Sequence, residues 1–569
     1  MVLPNNFVYV SPTGDDSGSG SIEAPLRSLN NVVSHLSDNS ELYKRGYVIY
    51  LLPGYHLLSE TLDLSGIRID SLDIAIRFEA TVEGQSIIGA GESLQNWQLY
   101  DSQKNIYRSP VPNNIVSRQL FVNNRRAQRA RTPDGVGWHK NEAGFECPSV
   151  VSKWRNLQDV EVVCRIEWKE FRGLIDSYSD FTVVMQQPYW SNAQSHTGFT
   201  AGNPCYIENV YEMLTEEGEW YLDKNEGYIY YKPRKDESIN CIDARLPVLE
   251  QLIRINDSSN ISFYGICFSH TTWMQPSTSE GYAIIQSGVF ARGKKDSFEH
   301  GRETAGQIPG GIDISYSDHV LFRNCVFCQM GAAAVFLDRG TKRCAFINNT
   351  FIDISGHALF LGRIDDHHCV PEDIVEEIVI DRNYFTDVGC EFHEGIPIAA
   401  LYVANVFITR NEICDIPYTG ISVGWGWGLH DTEIIDPYFE GMEPQFSTPT
   451  IMKNNIISGN LIYRHMNTLR DGGGIYLLSA QPGTVVSYNC IHNQLEMYGA
   501  IYLDSGCRYM DIAHNAYYDN MIHTMLKGKD NHFVGNFLAN GWEDIPSYIK
   551  ERIGRDGVCD LLPDWSASL

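Results

Sequence analysis

Short apolar runs closed by an asparagine recur along the C-terminal two-thirds of the chain. They read Val320-Leu321-Phe322-Arg323-Asn324, Ala345-Phe346-Ile347-Asn348-Asn349, Ile378-Val379-Ile380-Asp381-Arg382-Asn383, Val406-Phe407-Ile408-Thr409-Arg410-Asn411 and Ile456-Ile457-Ser458-Gly459-Asn460. Three more end at Asn489, Asn515 and Asn536. Successive asparagines stand 25, 34, 28, 49, 29, 26 and 21 residues apart. Most intervals fit one coil of a parallel β-helix, roughly 20–30 residues, with insertions in the longer ones. Two or three short strands cannot bury their inner faces alone, and stacking coils ~4.8 Å apart lets each pair with the coils on either side. Asparagine tolerates the left-handed backbone of the turn, and its amide can bond the asparagine of the next coil.

A second column supports this register. Gly499-Ala500-Ile501-Tyr502-Leu503-Asp504 matches Ala333-Ala334-Val335-Phe336-Leu337-Asp338, and in both the Asp precedes the ladder Asn by 11 residues. A β-sandwich or a propeller does not predict one Asn per coil after a β-branched strand. Residues 92–244 break the pattern. Strand-like stretches at Gln119-Leu120-Phe121-Val122, Val160-Glu161-Val162-Val163 and Phe181-Thr182-Val183-Val184-Met185, separated by turns such as Asp223-Lys224-Asn225-Glu226-Gly227, predict an inserted antiparallel, sandwich-like β domain. Residues 1–91 read as N-terminal coils: Tyr47-Val48-Ile49-Tyr50-Leu51-Leu52 ends at the turn Pro53-Gly54, Ser86-Ile87-Ile88-Gly89 follows, and a helix near Leu29 to Leu36 is expected as a cap. Residues 245–569 are expected to form the main parallel β-helix and its groove.

Charge and composition narrow the function. The 44 Lys and Arg against 71 Asp and Glu give a net charge of −27, which disfavours nucleic acid, anionic membrane and strongly polyanionic glycans. No apolar run approaches the ~20 residues needed to cross a bilayer. The start of the chain, Met1-Val2-Leu3-Pro4, lacks the pattern of a secretory signal. The 14 cysteines are scattered and read as small buried hydrophobes of a reducing compartment, so a cytoplasmic location is expected. Cys325-Val326-Phe327-Cys328 has no second pair to complete a zinc site and reads as structural.

Several stretches resemble known carbohydrate-active β-helix proteins. Tyr9-Val10-Ser11-Pro12-Thr13-Gly14-Asp15-Asp16 with Ala24-Pro25-Leu26 looks like their common opening, as does Leu52-Pro53-Gly54-Tyr55. Three segments resemble one subgroup, glycoside hydrolase family 141, known for α-L-fucosidase and xylanase activities. They are Arg118-Gln119-Leu120-Phe121-Val122-Asn123-Asn124-Arg125-Arg126-Ala127, Pro417-Tyr418-Thr419-Gly420-Ile421-Ser422-Val423-Gly424-Trp425-Gly426-Trp427-Gly428, and Asp471-Gly472-Gly473-Gly474-Ile475-Tyr476. The resemblance spans nearly the whole chain. It implies a right-handed helix and a carbohydrate substrate, without fixing the sugar.

Glycoside hydrolysis generally uses two carboxyls flanking the scissile bond. Asp471 and Asp504 are the expected pair, since both sit in family-like motifs on consecutive coils. Asp471 precedes three glycines that let backbone approach a sugar closely. In the column alignment, however, Leu478 is the neighbour of Asp504, and Asp471 lies seven residues earlier. That is about 23 Å along a straight strand, so the pair can work only if the glycine turn folds Asp471 back. Family 120 β-xylosidases, a related group, offer a contrast: their Asp resembles Leu503-Asp504, but where their Glu partner stands this chain has Met525-Leu526-Lys527-Gly528. Glu391, Glu394 and Asp338 are reserve carboxyls. Trp425 and Trp427 are expected as sugar-stacking walls, with Tyr476, His492, His523 and Lys527 as further substrate contacts.

The leading expectation is a glycoside hydrolase acting on a fucoside or xyloside of a plant-type glycan. The alternatives are a polysaccharide lyase or uronate epimerase, for which Lys527 could serve as base, and a non-catalytic glycan-binding protein. No cofactor, metal, nucleic-acid or membrane partner is expected, and assembly into a homo-oligomer is compatible with the sequence.

Overall fold

The structure is a computed structural model. It describes residues 6–568 except 39–43, 70–74, 112–114, 148–150, 196–198, 294–304, 435–441, 495–497, 520–521 and 527. The chain forms two compact units, one from residues 1–89, 251–269 and 309–569, the other from 90–250 and 270–308. The second unit therefore takes a stretch, 270–308, that the sequence reading assigned to the main helix.

The first unit is a parallel β-helix. Each coil visits three sheets in turn, as in Ala480–Ser487, Cys490–Gln494 and Gly499–Leu503. Among the described residues the first sheet has 12 strands, from Phe7–Val10 to His532–Val534; the second has 11, from Gly54–Leu57 to Phe537–Leu538; the third has 10, from Leu62–Asp63 to Ile522–Leu526. All neighbours in these sheets run parallel, for example Ile457 beside Val486 and then Ile512. Inward phenylalanines stack from coil to coil, Phe263 on Phe322 at 4.7 Å and Phe327 on Phe351 at 4.5 Å, close to the strand spacing of ~4.8 Å. Near the start, helix α1 (Leu29–Ser37) is N-capped by Ser28, buries Leu29, Val32, Val33 and Leu36, and packs against Leu62–Asp63.

The asparagine ladder occupies the turn between first and second sheets. The side chain of Asn411 donates to Asn460 Oδ1 at 3.0 Å and to the Ile380 carbonyl at 2.9 Å; its own Oδ1 accepts the N–H of Asn383 at 2.9 Å and the amide of Asn383 at 3.0 Å. The same bonds link Asn349, Asn383, Asn460, Asn489, Asn515 and Asn536. Two expectations are corrected. Asn324 is not a rung: it pairs with Asn348, and Cys325 takes the ladder position, donating its N–H to Asn349 Oδ1. The left-handed residue is the one before each rung, such as Arg382 (φ +56°), Arg410 (φ +52°) or Gly459 (φ +70°), because the rung itself needs its amide directed along the stack.

Among the described residues, the second unit is built of sheets of six, five, four and three strands, antiparallel except where Gln128–Arg129 runs parallel to Glu219–Asp223. Its hairpin Phe121–Val122 to Arg125–Arg126 turns through Asn123 and Asn124, both at positive φ, the turn geometry that suits strand twist. Trp220, Leu222, Ile229 and Tyr231 pack with Leu120 and Val122 in its core. Beside them runs a buried ion network in which Glu161 meets Arg118 and Arg129, and Glu208 accepts from Arg172 at 2.5 Å.

Candidate active site

The third sheet sets Tyr476 beside Tyr502 on consecutive coils, with Leu477 beside Leu503. Alternate residues of a strand face opposite sides, so while the leucines fill the coil, the two tyrosines lie on the outer face, ring centroids 5.1 Å apart and nearly perpendicular. Asp504 directly follows the second of these strands, Gly499–Leu503. Its N–H donates to the Leu477 carbonyl at 3.0 Å. The Tyr476 hydroxyl donates to Asp504 Oδ2 at 2.5 Å and the Ser505 hydroxyl to Oδ1 at 3.3 Å.

Asp471 reaches the same place by another route. Its backbone is left-handed, φ +53°, and its carbonyl accepts the Tyr418 hydroxyl at 2.8 Å. The glycines that follow press against neighbouring coils: the Gly473 N–H donates to Thr419 Oγ1, and a Cβ on Gly473 would lie 2.3 Å from the Gly499 carbonyl oxygen. The chain is thus folded back, and the straight-strand separation does not apply. The charges of Asp471 and Asp504 both act on the Tyr502 phenol.

Three phenols line this pair. Burial, then Asp504 and Asp471, push the Tyr502 phenol far above its ordinary value. Burial and Asp504 do the same to Tyr476, and burial and Asp471 to Tyr418. All three remain protonated near neutrality; Tyr476 donates to the Asp504 carboxyl and Tyr418 to the Asp471 main-chain carbonyl. Glu394, fully buried, also acts on Tyr418 and brings a third carboxyl to the cluster. Trp427 and Tyr498, both partly exposed, pack against Tyr476, Leu478 and Tyr502.

Other expected contacts fall elsewhere. Trp425 is only 3% exposed, tucked against Trp427 at 5.1 Å, so it offers no open ring face. His492 lies on the second sheet, stacked between Tyr463 and Tyr518 at 5.1 and 4.3 Å, because the strand directly after each rung belongs to that sheet. The backbone of His523 lies in the third-sheet strand Ile522–Leu526; its side chain and all of Lys527 fall outside the described residues. Of the reserve carboxyls, Asp338 is gripped by the Arg363 fork and Glu391 accepts from Ser355. Among the described residues no cluster of three or more His, Cys, Asp or Glu is arranged to hold a metal ion. The sequence reading did not single out Tyr418, Tyr498 or Tyr502; the signal for Tyr502 was its outward position one residue before Leu503-Asp504.

A family model described as "Right handed beta helix region" matches residues 252–430. Among solved structures, one named "Glycoside hydrolase" is similar at a TM-score of 0.82 and 22% identity, over 99% of this chain and 100% of that one. Another, named "The complex structure of XylC with xylose", is similar at a TM-score of 0.51 and 12% identity, over 93% of this chain and 86% of that one. No curated protein sequence matches. At these identities the likeness shows the fold, a right-handed parallel β-helix with added antiparallel sheets.

Proposed function

We propose that the chain hydrolyses a glycosidic bond in a plant-type oligo- or polysaccharide of the fucoside or xyloside class, with Asp471 and Asp504 as the two carboxyls. The observation that carries this reading is that Asp471 and Asp504, from different coils, both act electrostatically on one buried phenol, Tyr502. One carboxyl protonates the leaving oxygen, and the other attacks the anomeric carbon or activates water. Tyr476 holds the Asp504 carboxyl by its hydrogen bond, and Tyr418 holds the Asp471 main chain. The ring faces of Trp427 and Tyr498 suit stacking on a sugar. The fold-level likeness to a structure named as a glycoside hydrolase, and to one holding xylose, agrees with a carbohydrate ligand.

The test is product analysis on a panel of fucose- and xylose-bearing glycans. New reducing sugar without ultraviolet absorbance supports hydrolysis. An unsaturated uronate product would replace this reading with a lyase, and glycan binding without any product would leave a binding protein.

A further inference from the structure

Directly after the third-sheet strand Gly310–Ser315, Tyr316 stands at a left-handed turn (φ +46°) and is 45% exposed. The side chain is nonetheless anchored. Its hydroxyl donates to Asp373 Oδ1 at 3.0 Å, and its ring lies over Gly340, where a Cβ would come within 2.5 Å of Tyr316 Cδ1. Glycine at the turn of the next coil thus leaves room for the ring. Beside it opens a cavity of about 600 Å³, a volume typical of ligand sites. Arg68, Asn256 and Asp257 line it on one side of the ring, Lys342 and Glu372 on the other.

An anchored, exposed ring among polar groups suits a sugar, whose C–H face stacks on the ring while its hydroxyls bond the rim. The rim is held in place: Arg68 pairs with Asp257, and Lys342 donates to Glu376 and to the Pro371 carbonyl. Two cations and two anions line the cavity, with Asp373 and Glu376 bonded to its edge, on a chain of net charge −27. This balance favours a neutral sugar over a uronate.

Strand register aligns the cavity with the candidate active site. Asn256 pairs with Ser315, and the row that starts at Ile314 runs through Leu337, Leu361, Ala400, Val423 and Leu477 to Leu503. Tyr316 and Asp504 therefore both sit at the turn after a third-sheet strand, six pairings apart. At ~4.8 Å per coil that is about 29 Å along the helix.

Resting on the hydrolase reading for the chain it would hold, we propose that the Tyr316 cavity is a second glycan-binding site, which takes neutral pyranose units of the polysaccharide cut at Asp471 and Asp504. The substrate is then a polymer long enough to reach both places. Holding the chain at two points raises the effective concentration of polymer at the reacting carboxyls without altering the chemistry there.

The test is native affinity electrophoresis of the full chain through gels containing fucosylated xyloglucan, a neutral arabinoxylan or polygalacturonate. A neutral polymer should retard the wild type and polygalacturonate should not. Tyr316→Ala should weaken that retardation about five- to tenfold, the worth of one stacked ring. Arg68→Ala, at a side chain 59% exposed, leaves the packed turn intact and should weaken it in the same direction. In both variants kcat/KM on the retarding polymer should fall by a similar factor, while turnover of nitrophenyl fucoside or xyloside, too small to reach Tyr316, stays at the wild-type level. Unchanged retardation in both variants, stronger retardation by polygalacturonate, or none by either neutral polymer overturns the second site, even where wild-type hydrolysis stands. Retardation that depends on Tyr316, with no reducing sugar released from any glycan, overturns the hydrolase reading and leaves the cavity as a glycan-binding site.

Discussion

Replacing Asn411 by Ala removes four hydrogen bonds from a fully buried rung. The N–H of Asn383 loses its side-chain acceptor with no water to replace it, a desolvation cost of about 1–3 kcal/mol. The freed Ile380 carbonyl and the shortened amide chain on either side add about 1 kcal/mol each, giving a total of about 3–5 kcal/mol. Asn536 offers an internal control. It accepts both Asn515 donors and itself donates to the Ile512 carbonyl, yet it is partly exposed, so water takes over most of what is lost and the cost falls to about 1 kcal/mol. Equilibrium urea denaturation followed by tryptophan fluorescence reads both variants, with the denaturant slope required to stay constant. Equal losses for Asn411→Ala and Asn536→Ala would refute the argument, since it rests on burial and not on the number of bonds.

Other expectations follow from the same structure. Burial pushes the His465 ring down to about 4 from 6.5. The unfolded chain thus binds the proton first, so this contribution is complete above pH 6.5 and is lost as pH falls toward 4, by about 3 kcal/mol. Histidine 465 replaced by glutamine should flatten the acid limb of the stability curve by that amount, and an unchanged limb would contradict the assignment. Gly473→Ala should abolish glycan cleavage by driving the Asp471 loop off the Gly499 carbonyl, whereas full activity would mean that the glycines do not place Asp471. Trp427→Ala should raise KM about tenfold with little change in melting temperature, and Trp425→Ala should do the opposite; Michaelis kinetics and thermal melts on both variants check this.

Much of the fold was legible because a β-helix repeats its sequence requirements at every coil. A buried asparagine column and an inward apolar column leave a period that survives insertions, and Asp504 could be placed by counting back from Asn515. What escaped depends on geometry that spacing does not carry. Asn324 and Asn348-Asn349 look alike in sequence, and only the pairing of Arg323 with Ile347 makes Cys325 the equivalent of Asn349. His492 lies three residues beyond a rung, but assigning it to the second sheet requires knowing the order in which a coil visits its sheets. Asp471 appeared too distant because a straight strand was the only available ruler; the Gly472-Gly473-Gly474 turn brings it back by a path visible only in its contacts with Thr419 and Gly499. Trp425 and Trp427 share one motif, yet the left-handed backbone of Trp427 separates a buried ring from a partly exposed one.

The central claim is that Asp471 and Asp504 work as one hydrolytic unit. Turnover of the cleaved glycan by wild type, Asp471→Asn, Asp504→Asn and the double variant tests it directly. The account predicts a loss of about a thousandfold or more in each single variant and little further loss in the double, as for residues that act in one step. Wild-type turnover in either single variant would contradict it.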